Sequence, residues 1–108
     1  MSDCVFCKIA NGEIATNFVA ESEHSVAFND INPAQLVHVL VVPKQHFANI
    51  AELTTSNEAA LVDLMKLGTQ VAAKLSTGSF RFQFNTGADA GQTVFHAHGH
   101  ITSRTPSN

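Results

Sequence analysis

Leu36-Val37-His38-Val39-Leu40-Val41-Val42, closed by Pro43, is the stretch on which the fold turns. Leu and Val fill both alternating sets of positions, so an extended chain here is apolar on both faces. A strand with one face in water would alternate instead. So many β-branched residues suit a pleated, buried surface, and the pattern predicts a central strand over Leu36–Val42, covered on both sides. Pro43 lacks the donor a ladder requires and stops it. His38 is the one polar residue in the run, and buried there its ring must find a hydrogen-bond partner.

Working outward toward the N-terminus, Asn32-Pro33 marks a loop. Asn17–Glu21 and Ser25–Asn29 are predicted as two short strands joined by the polar turn Ser22-Glu23-His24. Phe6–Ile9 has apolar residues three apart and predicts a short helix, ended by Asn11-Gly12. On the C-terminal side, Leu61, Leu64, Met65, Leu67, Val71 and Leu75 recur at three- and four-residue steps. That stripe predicts one long helix over Ser56–Leu75, with Thr55 and Glu58 as a capping box and a chain reversal at Gly78. Phe80–Asn85 alternates strictly, with three phenylalanines on one face. A loop containing Gly87 and Gly91 follows, and a last strand is predicted over Val94–Thr102. Short helix, strands, long helix, strands is the order of an α+β domain: an antiparallel sheet with the long helix packed across one face.

The 108 residues suit one domain, and 44% hydrophobic content is enough to build a core. A net charge of −3 with six Lys and Arg, nowhere clustered, argues against a groove for a nucleic-acid polymer. A small anion is still a suitable ligand, because backbone N–H groups and imidazoles can hold it. The start, Met1-Ser2-Asp3-Cys4, has no basic region or long apolar run, so neither a signal peptide nor a membrane span is expected. A cytoplasmic location follows, where the two cysteines stay reduced. Cys4 and Cys7 form a C-x-x-C, a spacing suited to a metal or a redox pair. Thr105–Asn108 reads as a frayed tail.

Half of the six histidines fall within five residues: His96, His98 and His100. At alternate positions of a strand they share one face. Three in register beside a glycine-rich loop point to a site rather than to exposed polar residues. The spacing alone serves metal binding and catalysis equally well. Gly87-Ala88-Asp89-Ala90-Gly91-Gln92-Thr93, just upstream, carries backbone donors, an amide and a hydroxyl, which suit phosphate oxygens.

Asn85-Thr86-Gly87 and Ala90-Gly91-Gln92-Thr93-Val94-Phe95-His96-Ala97-His98-Gly99-His100-Ile101 together resemble the signature of the histidine-triad (HIT) superfamily. Phe28-Asn29-Asp30-Ile31-Asn32-Pro33 and His38-Val39-Leu40-Val41-Val42-Pro43-Lys44-Gln45-His46 resemble it too, in the expected order. The likeness runs from about Cys4 to Thr102 and is greatest to the Hint branch in a bacterial form with C-x-x-C.

The resemblance implies a hydrolase or transferase that attacks the α-phosphorus of purine nucleoside phosphoramidates or related nucleotides. His98 would be the nucleophile, forming a nucleotidyl-histidine that water then cleaves. His100 would hydrogen-bond the phosphoryl oxygens, and His38 would lie beside the triad. Asn85, Gly91, Gln92 and Thr93 would surround the phosphate. Asp30, otherwise a turn residue before Asn32-Pro33, would hold the ribose hydroxyls. Phe6, Ile9, Phe28 and Ile31 would wall the base pocket. Cys4, Cys7, His46 and His96 would make a closed Cys₂His₂ set of the kind structural zinc prefers; no organic cofactor is implied. A homodimer through the long helix and the Phe80–Asn85 strand is implied as well.

Gly99 departs from the family pattern, which has a bulky apolar residue there, and predicts a gap on the face opposite the triad. Two other functions fit the same residues: a non-catalytic purine-nucleotide-binding or partner-binding module, with Gly99 as its lesion, and a dinucleoside polyphosphate hydrolase. A small zinc protein whose histidines all serve metal is a third possibility.

Overall fold

Val37–Pro43 forms strand β3 of the computed structural model, which describes residues 4–107, and all seven residues of the strand are buried. It is the middle of a five-stranded antiparallel sheet. Before it come α1 (Val5–Ala10), β1 (Phe18–Glu21) and β2 (Ser25–Asn29); after it come α2 (Ile50–Ser56), α3 (Glu58–Leu75), β4 (Arg81–Phe84) and β5 (Gly99–Ser103). The strand order is β1-β2-β3-β5-β4. The α+β architecture with a long helix and a short N-terminal one is as expected. Leu36, placed in the strand by the apolar run, instead lies outside it and is exposed.

Both faces of β3 are covered, as its composition requires. Val37, Val39 and Val41 pack with Ile101 of β5 against Leu64, Leu67 and Val71 of α3, and with Phe47 and Leu53. On the other face Leu40 and Val42 join Val26, Phe28 and the α1 residues Phe6 and Ile9. Each fully buried Val or Leu contributes about 2 kcal/mol of transfer free energy. The two-sided core therefore makes β3 a firm platform for whatever its neighbours carry.

The helical region differs from the sequence-based expectation. Two helices replace one, and the cap of the long helix is Asn57, whose side chain accepts from the Ala60 N–H at 3.0 Å. Thr55 instead belongs to α2, its hydroxyl bonded to carbonyls of the preceding turn. Asn57 prevails because a short amide at an extended N-cap reaches the orphan N–H, and Asn caps better than Thr. Helix α2 carries its own capping box: Asn49 Oδ1 accepts from Glu52 N–H at 2.9 Å, and Glu52 Oε1 accepts from Ala48 N–H at 2.8 Å. Asn57→Ala is expected to lower stability by about 1 kcal/mol, and Thr55→Ala by less than about 0.5. Denaturant midpoints of the two variants measure the difference.

The buried stripe of α3 also shifts. Ala60, Gly68 and Ala72 lie in it, whereas Met65 is exposed. Small residues are needed because the sheet presents aromatic rings there. A Cβ on Gly68 would overlap the Phe82 ring, and one on Gly99 would overlap Phe82 and come within 2.8 Å of Phe84. The gap expected opposite the triad is thus absent: the Phe82 and Phe84 rings, centroids 5.0 Å apart, fill it. Phe80 does not continue that face; it precedes β4 and is 38% exposed.

Two more expectations fail at the C-terminal end. The last strand starts at Gly99, so His96 and His98 precede the ladder. Upstream of it the Ala97 N–H bonds the Phe47 carbonyl at 2.6 Å, outside the sheet. Nor is the described tail frayed: Pro106 bridges to Ser76, and the Ser107 N–H donates to the Leu75 carbonyl at 2.8 Å. Asn108 lies outside the described residues. Among the described residues no helix is long and apolar enough to cross a membrane.

Candidate functional site

The residues singled out from sequence converge on the sheet face that α1 covers. Three groups can be built up in turn: a sulfur–imidazole cluster, a chain of imidazoles, and a loop.

Cys4 is the N-cap of α1, and its Sγ accepts from the Cys7 N–H at 3.4 Å. One helical turn thus holds both sulfurs at the same end of α1. His46 follows β3, and His96 precedes β5. Cys4 Sγ and Cys7 Sγ each lie 3.4 Å from His96 Nδ1, and His46 Nδ1 lies 3.2 Å from both Cys7 Sγ and His96 Nδ1. His96 Nε2 faces the Pro43 carbonyl at 2.8 Å. A carbonyl only accepts, so Nε2 carries the proton and Nδ1 turns a bare lone pair toward the sulfurs. Burial pushes His96 down to about pH 4, against the opposing effect of the Pro43 carbonyl, so the ring is neutral.

Four soft and borderline donors within 4.8 Å of one another form a group that could hold a metal ion. For zinc, Zn–S bonds of about 2.3 Å and Zn–N bonds of about 2.0 Å give tetrahedral N···N and N···S edges of about 3.3–3.5 Å. The observed separations of 3.2–3.4 Å match. The His96–Pro43 bond is the outer contact that orients a metal-binding imidazole.

The imidazole chain begins at the turn before β3. The Ala34 N–H donates to His38 Nδ1 at 2.9 Å, so neutral His38 keeps its proton on Nε2. That atom lies 3.0 Å from His100 Nδ1 and 3.3 Å from Asp30 Oδ2. With Nδ1 accepting, neutral His100 holds its own proton on Nε2 as a donor. Burial, then the neighbouring imidazoles His98 and His38, hold His100 below the usual histidine value, with Asp30 opposing.

His98 is polarised in the opposite sense. Its Nδ1 faces the His96 carbonyl at 2.7 Å, so Nδ1 donates and Nε2 carries the free lone pair. Burial lowers its pKa, while the His96 carbonyl and then Asp30 raise it. The ring stands edge-on to Phe6, centroids 5.0 Å apart, and 4.9 Å from the ring of His100. A nucleophilic nitrogen beside an N–H donor is what attack on a phosphoryl centre requires.

The loop is organised by Gln92, which is buried. Its Nε2 donates to the carbonyls of Ala48 and Val94 at 2.8 and 3.0 Å, and its Oε1 accepts from the Gly87 N–H at 2.9 Å. In this structure the amide therefore braces the loop from inside. Gly87 and Gly91 have φ of 87° and 91°, values that favour glycine. Asn85 receives the Gln83 amide at 3.2 Å, and its Nδ2 lies next to Gly91. Thr93 is exposed.

Phe6, Ile9 and Phe28 share one cluster with Leu40, which sequence reading had placed only in the central strand. Ile31 stands apart on the loop after β2, 93% exposed. Asp30 does serve a turn, its Oδ1 accepting from the Asn32 N–H at 2.8 Å, while Oδ2 faces His38. The groups missed from sequence are backbone ones: the carbonyls of Pro43, His96 and Ala48 and the N–H of Ala34. Side-chain identity carries no signal for them.

A sequence-family profile described as "Scavenger mRNA decapping enzyme C-term binding" matches residues 3–108. An uncharacterized HIT-like protein of Methanocaldococcus jannaschii is 42% identical over 94% of this chain and 78% of its own length. Protein HitA of Neisseria gonorrhoeae is 41% identical, over 94% of this chain and 95% of that protein. Among solved structures, a HIT family hydrolase from Clostridium thermocellum superposes with a TM-score of 0.86 at 42% identity, covering 94% of this chain and 90% of that one.

Proposed function

The chain belongs to the histidine-triad superfamily, and on that premise we propose that it hydrolyses purine nucleoside phosphoramidates or related nucleotides, with His98 as nucleophile. The observation that carries this reading is that His98 Nδ1 lies 2.7 Å from the His96 carbonyl and His100 Nδ1 lies 3.0 Å from His38 Nε2, an arrangement that favours a bare His98 Nε2 beside a protonated His100 Nε2. In the first step His98 Nε2 bonds to the α-phosphorus while the bond to the leaving group breaks. The leaving group takes the electron pair of that bond and a proton from solvent water, which the proton released by the attacking water in the second step restores. The imidazolium so formed keeps its Nδ1–H on the His96 carbonyl, a bond that strengthens as the ring becomes cationic. His100 Nε2–H would steady a phosphoryl oxygen. Water then attacks phosphorus, releasing the nucleoside monophosphate and regenerating His98.

Asp30 would hold the ribose, and Phe6, Ile9 and Phe28 the base, with exposed Ile31 closing over it. Asn85, Gly91 and Thr93 would face the phosphate. Gln92 would act on the loop's shape. Incubation with adenosine 5′-phosphoramidate tests the proposal. AMP release is the expected result; a folded protein that binds AMP without releasing it from the phosphoramidate would favour a binding module.

Cys4, Cys7, His46 and His96 would hold zinc, which would brace the segment leading to His98 and supply no chemistry to the phosphorus. Purified protein is expected to carry about one zinc per chain. Cys7→Ser should lose the metal and melt at a lower temperature. A zinc-reconstituted protein without bound metal would refute the assignment, and two ions per chain would point to Asp30, His38 and His100 as a second site, since these too come within 4.8 Å of one another. A homodimer in the cytoplasm is part of the same proposal.

A further inference from the structure

We propose that a cavity at the Arg81–Arg104 end of the sheet is a second phosphate subsite, which takes a phosphoryl group of the nucleotide other than the one His98 attacks; this rests on the nucleotide reading above. Its position follows from strand register. Leu40, His100 and Gln83 pair in one row across β3, β5 and β4, and His38, Thr102 and Arg81 pair two residues further on. The row between them, Val39, Ile101 and Phe82, turns into the core beneath α3. Arg81 and Thr102 therefore share the face of His38 and His100, in the cross-strand row of His38 and about 7 Å along the strands from the row of His100.

A cavity of about 630 Å³ opens there, lined by Arg81, Arg104, Gln35, Phe80, Thr102 and Ser103, among others. Among the described residues no acidic side chain lines it. Among the described residues neither guanidinium takes part in an ion pair or in a side-chain hydrogen bond. The chain has six Lys and Arg and a net charge of −3, so two arginines lining one cavity with no acidic side chain among its described lining residues are out of keeping with that balance. Arginine forks and hydroxyls together match the oxygens of a phosphate better than any neutral group.

The site is also held in shape. Ser103 Oγ donates to the Ser79 carbonyl at 2.7 Å, joining the two sides of the cavity. Arg104 lies between that tie and the Pro106–Ser76 bridge, so its backbone is fixed at both ends. Preorganisation lowers the ordering cost of binding.

Calorimetric titration of the full chain with AMP, ADP and adenosine 3′,5′-bisphosphate provides the test. One of the two-phosphate ligands should bind about tenfold more tightly than AMP, with a gain that shrinks as salt rises. A gain for ADP places the subsite on the leaving-group side; a gain for the bisphosphate places it on the sugar side. In R81Q and, separately, R104Q the ratio to AMP should fall toward one. AMP binding with no gain for either ligand overturns the subsite alone, as does an equal loss for all three ligands in the variants. Failure of the parent to bind AMP would remove the nucleotide reading and the subsite with it.

Discussion

His98→Ala is expected to lower AMP release from adenosine 5′-phosphoramidate by at least about a thousandfold, because it deletes the attacking nitrogen itself. No other imidazole in the cluster can replace it. His100 is the nearest, but its Nδ1 accepts from His38, and the proton on its Nε2 makes that atom a donor. His96 has its lone pair aimed at the two cysteines. Folding should survive, since the lost ring touches Phe6 and His100 at the margin of the smaller core and not the centre of the larger one. A melting curve for the variant close to the parent's, with single-turnover assays on both, separates chemistry from unfolding. Turnover within tenfold of the parent would mean that His98 is not the nucleophile.

Restoring a large side chain opposite the triad should be the most damaging single change to stability. Gly99→Leu is expected to cost about 3 kcal/mol or more, toward the upper end of overpacking effects. The new Cβ falls on the Phe82 ring and within 2.8 Å of Phe84. Phe82 cannot withdraw, because its other side lies against Gly68, where a Cβ would overlap it too. A backbone shift of β5 is the remaining escape, and it would displace His98 and His100 on either side of residue 99. Combining Gly99→Leu with Phe82→Ala should recover most of the loss, giving a coupling energy of at least about 1.5 kcal/mol in a double-mutant cycle from denaturant midpoints. Additive effects would show that the glycine and the ring are not a matched pair. In this structure the Phe82 and Phe84 rings of β4 occupy the space that a side chain at position 99 would need.

The strands and helices were legible wherever apolar spacing is a local property. Both faces of Val37–Val42 are apolar, and the strand is central; Phe82 and Phe84 alternate with Arg81 and Gln83, and the edge strand follows. Boundaries slipped where two local signals competed. Thr55-x-x-Glu58 and Asn57 both offer a cap, and only the break between α2 and α3 selects Asn57. The candidate site was legible as residue types, since cysteines, histidines and an H-x-H-x-H spacing are visible without coordinates.

By itself, then, the sequence determined the sheet with its long helix, the covered central strand and the identity of the imidazoles and thiols. It did so because those features depend on side-chain type and on periods of two or three to four residues. The tertiary structure alone decided which nitrogens of His38, His96 and His98 face a backbone N–H or carbonyl, because those partners are backbone groups of Ala34, Pro43 and His96 that side-chain identity does not mark. It brought the donor atoms of Cys4, Cys7, His46 and His96, a set implied beforehand only by the family resemblance, within 4.8 Å of one another. It also filled the space above Gly99 with rings from β4 and turned Gln92 inward. The donor set, the rings beside Gly99 and the Gln92–Ala48 bond depend on contacts between segments far apart in the chain, and the histidine contacts depend on backbone conformation, neither of which a local pattern of residue types encodes.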